Sequence, residues 1–141
     1  MKPVKILYVD DEAMALKYFE RLVSPLAPVL TASSVEEGRS MLAKYGAEIA
    51  VLVCDQRMPG LTGVEFLREA RERWPDAVRI VISGYTDSED IIAGINDAGI
   101  WQYLLKPWHP DQLLLTLHSA AQLWRLQQDN QRLTLELRPS T

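Results

Sequence analysis

The sequence holds a single cysteine, Cys54, so no disulfide can form within the chain. Cys54 sits inside an apolar run and reads as a buried, inert thiol. No apolar stretch approaches the roughly 20 residues needed to span a membrane. Val4 opens a strand pattern so early that no signal peptide is expected, and a cytoplasmic location without membrane association follows. There is no strong excess of one charge: the net charge is −4. Lys and Arg are scattered, apart from a loose group at Arg68, Arg71, Arg73 and Arg79. The first three alternate with Glu69 and Glu72 at helical spacing and read as a solvated face. A nucleic-acid footprint is therefore lacking in this chain. The two histidines, His109 and His118, read as a cap and a helix-face residue rather than ligands, and the four tryptophans as packing residues. There is no internal repeat and no low-complexity segment.

What is present is an ordinary globular composition: 141 residues, 48% hydrophobic and 24% charged. That suffices for one domain with a core plus an extension. Apolar runs at Val4–Val9, Val29–Ala32, Ile49–Cys54, Val78–Ile82 and Gln102–Leu105 read as strands. Helical patterns separate them: Leu16, Phe19 and Val23 before Pro25; Met41, Leu42 and Tyr45 before Gly46; Phe66, Leu67, Ala70 and Trp74 before Pro75; Ile91, Ile95 and Ala98 before Gly99. Asp11 can cap the first helix, and Asp87 or Ser88 opens the fourth. Ser34 with Glu37 and Thr62 with Glu65 have capping-box spacing. Pro110 suits the first turn of a fifth helix. Five strands alternating with five helices predict a flavodoxin-like, doubly wound α/β fold, with a five-stranded parallel sheet in the order 2-1-3-4-5.

The last helix is too long for such a domain. Residues 111–137 would span about 40 Å, against a radius of gyration of about 14 Å. Its first half, with Leu113, Leu114, Leu117, Ala120 and Ala121, can pack on the sheet. In its second half Leu123, Leu126, Asn130, Leu133 and Leu137 are spaced as a heptad seam, with Asn130 where a polar residue fixes register. The chain is expected to divide into a domain over 1–118 and a helical linker over 119–141, with the seam joining two copies as a homodimer. An exposed helical tail is the alternative.

In a parallel sheet the carboxyl ends of the strands share one edge, where ligands bind. Here that edge would gather Asp10 and Asp11 after strand one, Asp55 after strand three, Ser83 after strand four and Lys106 after strand five. Converging carboxylates repel, and a hard divalent cation such as Mg²⁺ relieves the conflict while keeping positions open for phosphate oxygens. Asp11 and Asp55 are the expected direct ligands, Asp10 a partner through water, and the backbone carbonyl of Arg57 completes the set. Asp55 is the candidate nucleophile toward a phosphoryl group. Lys106 and Ser83 would stabilise charge on the phosphoryl oxygens. Each residue also has a plainer use: Asp11 as a cap, Ser83-Gly84 as a turn, Lys106 as a surface lysine. No adenine or ribose pocket is apparent, so the phosphoryl donor is expected to be a protein or a small acyl phosphate.

Tyr8-Val9-Asp10-Asp11-Glu12, CDQRMPGLTG around Asp55, ISGY around Ser83, and Lys106-Pro107 together resemble the response-regulator receiver domain of two-component signalling. The resemblance covers about residues 4–118. It implies Mg²⁺-dependent phosphotransfer to Asp55 from a sensor histidine kinase, slow hydrolysis, and a cis peptide before Pro107. It also implies a switch in which Ser83 moves toward the phosphorylated aspartate and Tyr103 follows. The output face would be helix four, strand five and helix five, with Ile95, Trp101 and Leu104 as candidates. The segment Gly94–Leu115, with Trp108 after Lys106-Pro107, is most similar to NtrC-type hydrogenase transcription regulators (HupR/HoxA-like). That likeness implies transcription control through a central ATPase module and a DNA-binding module, both absent from this chain. Arg57 and Tyr85, two residues beyond Asp55 and Ser83, stand at the mouth of the site and are expected to hinder attacking water.

Three other functions compete. A phosphohydrolase using an Asp nucleophile would want a second Asp at position 57, where Arg stands. A flavodoxin-type cofactor binder would need a Ser/Thr/Gly-rich loop after strand one, whereas Asp10-Asp11-Glu12 repels phosphate. A receiver-like dimerisation module not regulated by phosphorylation is compatible with the sequence.

Overall fold

Seven consecutive buried residues, Ile49–Asp55, form β3, the middle strand of the sheet. Its neighbours on both sides are parallel, so neither face meets water, and the run is apolar rather than alternating. The computed structural model describes residues 4–84 and 88–136. In chain order the elements are β1 (Lys5–Val9), α1 (Ala13–Val23), β2 (Val29–Ala32), α2 (Val35–Tyr45), a 3₁₀ turn (Gly46–Glu48), β3, α3 (Gly63–Arg73), β4 (Val78–Ser83), α4 (Ser88–Ala98), β5 (Ile100–Leu105) and α5 (Pro110–Glu136). The sheet order is β2-β1-β3-β4-β5, all parallel, as expected. Among the described residues no helix is long and apolar enough to cross a membrane.

Alternate side chains of each strand feed two apolar layers. Leu7, Val9, Leu52, Cys54 and Val81 pack with Leu42, Phe66, Leu67 and Ile91 from α2, α3 and α4. Ile6, Tyr8, Val51, Val53, Ile80 and Ile82 pack with Phe19, Leu113 and Leu117 from α1 and α5.

Several local expectations change. Asp11 does not cap α1. Glu12 occupies the cap position without a side-chain bond, and the Glu12 amide donates to Asp10 Oδ1 at 3.0 Å. Thr62 and Glu65 form the full capping box. Ser34 Oγ accepts from Glu37 N at 3.1 Å, but Glu37 reaches back to Ser33 instead. α2 does end at Gly46 as expected, although Gly46 stays out of the left-handed region. It is small because a Cβ there would lie 2.3 Å from Nε1 of Trp74. Gly99, by contrast, has φ +63° and closes α4. Arg71, expected on a solvated face, is not merely solvated. Arg71 donates to the Asp97 carbonyl, and Arg79 to those of Ala98 and Gly99, so two cations cover the negative end of α4. Asp87 lies outside the described residues.

The length of α5, 27 residues, carries it beyond the sheet. Past the core-packing Ala120 and Ala121, one stripe remains against the domain. Trp124 packs at the core margin, and Gln128 and Gln131 donate to Asp76 at 3.3 and 3.4 Å. Leu126 and Leu133 each stand two residues, about 200° of helix, from a member of that stripe. They are 62% and 47% exposed. Leu123 differs from them in being partly buried and packed against the α1/α5 layer. Leu137 lies outside the described residues.

Candidate functional site

The ladder itself brings the site together. Asp10 N donates to Ala32 O at 3.1 Å, Gln56 N to Ile82 O at 2.8 Å, and Lys106 N to Ser83 O at 2.9 Å. These bonds continue the parallel pairing past the strand ends, so Asp10, Asp55, Ser83 and Lys106 emerge at one edge. The Lys106–Pro107 peptide is cis. Lys106 Nζ lies 3.3 Å from Asp55 Oδ1 and 3.4 Å from Asp10 Oδ2. Asp10, Asp11 and Asp55 each offer a carboxylate oxygen, and these lie within 4.8 Å of one another. Asp10 is fully buried, Asp55 is 6% exposed and Asp11 is open to solvent.

Burial, reinforced by the charge of Asp10, pushes the Asp55 carboxyl up to about 6 despite the opposing pull of Lys106. Burial works against the charge on Lys106, but Asp55 and Asp10 outweigh it, and its pKa is raised. Asp55 is thus largely ionised at neutral pH and lies beside a cation. The oxygen-only donor set, with one solvent-facing carboxylate, suits a hard divalent ion such as Mg²⁺.

Ser83 is 1% exposed, and its Oγ has no hydrogen-bond partner among the described residues. Tyr103 lies exposed on β5. Of the expected output-face residues, Trp101 is exposed and Ile95 partly buried, whereas Leu104 is buried in the α1/α5 layer and is not presented. Arg57 is exposed beside the site, and Tyr85 lies outside the described residues.

Two residues escaped the reading of the sequence. Gln56 is buried. Its Oε1 accepts from Val64 N, and its carbonyl from Gly63 N, both at 2.9 Å. This fastens the start of α3 to the residue after Asp55. Gly63 permits the approach, since a Cβ there would meet the Asp55 carbonyl oxygen at 2.5 Å. The second is Tyr8, whose hydroxyl donates to Asp10 Oδ2. Burial, then the Asp10 carboxylate, pushes the Tyr8 phenol far up, so it remains a donor. Neither interaction has a local sequence signature beyond a polar atom next to an acidic position.

A five-stranded parallel α/β sheet with three carboxylates, a hydroxyl and a lysine at its carboxyl edge defines a class, and the sequence comparison agrees. A sequence model of the response regulator receiver domain matches residues 6–118, and the chain belongs to that family. It is 56% identical to the hydrogenase transcriptional regulatory protein HoxA of Cupriavidus necator over 99% of this chain and 29% of the relative. It is 43% identical to HoxA of Bradyrhizobium diazoefficiens over 96% of this chain and 28% of that protein. The chain thus spans under a third of the length of these relatives. A response regulator receiver domain from Clostridium thermocellum superposes with a TM-score of 0.82 at 31% identity, covering 87% of this chain and 98% of that one.

Proposed function

We propose that Asp55 accepts a phosphoryl group from a phosphohistidine on a sensor histidine kinase. The observation that carries this reading is Lys106 Nζ between Asp55 and Asp10, at a buried edge where Asp55 remains ionised near pH 7. An Asp55 oxygen forms the new P–O bond as the P–N bond to the kinase histidine breaks. Lys106 meets the negative charge on the phosphoryl oxygens, and the unpartnered Ser83 Oγ donates to one of them. Asp11 and Asp55 would hold Mg²⁺ directly, Asp10 through water, and Arg57 by its backbone carbonyl. The ion supplies neutralisation of the acidic cluster. The chain catalyses this transfer and its own slow dephosphorylation rather than turning over a separate substrate. Arg57 and Tyr85 at the mouth restrain attacking water. Ser83 moving toward the phosphoryl group, followed by Tyr103, carries the signal to α4, β5 and α5.

In this reading residues 1–118 are the phosphoacceptor domain and 119–141 a linker toward output modules that control transcription, as the names of the HoxA relatives suggest, by binding DNA, as the name of the more distant relative NtrC of Salmonella typhimurium states for that protein. The kinase reaction places the protein in the cytoplasm. Leu126, Asn130 and Leu133, turned away from the stripe that grips Asp76, form the core of a homodimer seam, with Leu123 at its margin and Leu137 beyond. Dimerisation without phosphorylation is less well supported, because it leaves the half-buried Lys106–Asp55 pair without a task.

Incubation with Mg²⁺ and acetyl phosphate tests the proposal. The expected result is a mass gain of one phosphoryl group that vanishes in Asp55→Asn. No gain at any Mg²⁺ concentration would overturn it.

A further inference from the structure

Tyr8 and Asp10 are two residues apart on one chain, so both side chains leave the same side of the sheet, toward the α1/α5 layer. Tyr8 is fully buried. Its ring stacks on Phe19 with centroids 4.3 Å apart, and Trp108 meets it edge-on at 5.7 Å. Trp108 is itself edge-on to Phe19 and stacked on Tyr18. A ring caged in this way has no room to swing, so its hydroxyl is aimed at Asp10 Oδ2 by packing.

Asp10 is held at both oxygens. Oδ1 accepts from the Glu12 amide at 3.0 Å, and Oδ2 accepts from Tyr8. Lys106 Nζ approaches the same Oδ2 at 3.4 Å while lying 3.3 Å from Asp55. Without the phenol, Oδ1 would keep the Glu12 amide, but Oδ2 would depend on Lys106 alone, and the carboxylate could tilt toward the ammonium or draw it away from Asp55.

From this geometry we infer that Tyr8 is a positioning residue of the phosphoacceptor site: its hydroxyl fixes the Asp10 carboxylate in the orientation that binds Mg²⁺ through water. The inference rests on the proposed function and adds a residue to it. Loss of a hydrogen bond that orients a ligating side chain typically weakens metal affinity by about ten- to a hundredfold, and because Asp10 acts through water the lower end of that range applies to Tyr8. A buried tyrosine also needs an acceptor simply to be buried, so the experiment must separate the two roles.

Mg²⁺ alone is titrated calorimetrically into the wild-type chain, Tyr8→Phe and Tyr45→Phe, with thermal unfolding in EDTA checking that each is folded. Tyr8→Phe keeps the caged ring and removes only the hydroxyl. Tyr45→Phe removes a hydroxyl from the end of α2, near Lys5 at the opposite edge. The expected result is Mg²⁺ affinity about tenfold weaker in Tyr8→Phe and unchanged in Tyr45→Phe. Affinity in folded Tyr8→Phe within about twofold of wild type overturns the inference, because a purely structural phenol would alter unfolding and leave the metal untouched. In parallel, the wild-type chain carrying 3-fluorotyrosine is followed by fluorine NMR. A shift of the solvent-inaccessible tyrosine signal on Mg²⁺ addition supports the inference, and shifts confined to exposed tyrosines overturn it even if Tyr8→Phe does not fold. A wild-type chain that binds no Mg²⁺ refutes the proposed function itself, an outcome distinct from equal binding by both proteins.

Discussion

Lys106 Nζ lies 3.3 Å from Asp55 Oδ1, and the same ammonium lies 3.4 Å from Asp10 Oδ2. One cation thus stands between two carboxylates that belong to different strands. A phosphoryl group added to Asp55 would bring further negative oxygens to this cation. Lys106→Ala is expected to slow phosphorylation by acetyl phosphate by about 10²-fold or more, with the protein still folded. The rate of mass gain at saturating Mg²⁺ measures it, and a rate within a few-fold of wild type counts against the assigned role.

The raised pKa of Asp55 gives a pH dependence of stability. Between its ordinary range and about 6 the folded protein holds a proton that the unfolded chain has released. Stability of the metal-free protein therefore falls as pH rises through this window. The penalty is absent below the ordinary carboxylate range and complete above about 6. Asp55→Asn removes it. The variant is expected to gain on wild type between pH 4 and 7.5 by at most about 3 kcal/mol, as read from urea unfolding in EDTA. Mg²⁺ should narrow the gap, since it neutralises the charge that burial penalises. A gap independent of pH would contradict the account.

Arg57 is exposed two residues after Asp55, and Tyr85 stands two residues after Ser83 in the sequence. Removing both large side chains, in Arg57→Ala/Tyr85→Ala, is expected to admit water and shorten the phosphoryl lifetime severalfold. The decay of purified phosphoprotein after removal of acetyl phosphate tests this. Equal lifetimes would exclude shielding by these residues.

Leu126 and Leu133 are exposed on the side of α5 turned from Asp76. Leu126→Glu/Leu133→Glu is expected to shift sedimentation from dimer toward monomer without lowering the unfolding midpoint, because neither leucine supports the domain's own core. An unchanged sedimentation profile, or a monomeric wild type, would refute the seam.

The switch from five short apolar runs to helical periodicity was legible in the order of residues, because strands buried on both faces must be apolar throughout. The acidic, hydroxyl and amino positions were legible for the same reason: a polar residue directly after a buried strand must emerge at an edge. Capping was less readable. Asp11 was the cap expected, and only the turn of the chain after Val9 made Asp10 the acceptor of the Glu12 amide. Gly46 ends α2 as its position suggested, but that its smallness also answers to the Trp74 indole after α3 was not readable. Leu123 fits a heptad, and its contact with the domain is not visible in that spacing.

By itself the amino-acid order determined the parallel sheet, the residues at its carboxyl edge and the overlong final helix, because each follows from periodicity along a single segment. The tertiary structure alone decided that Lys106 is shared by Asp55 and Asp10, that Tyr8 grips Asp10 from the interior, and that Asp76 takes hold of α5. Those contacts depend on distances across strands and layers. Side-chain direction, to within an ångström, is set by packing and not by spacing in the chain.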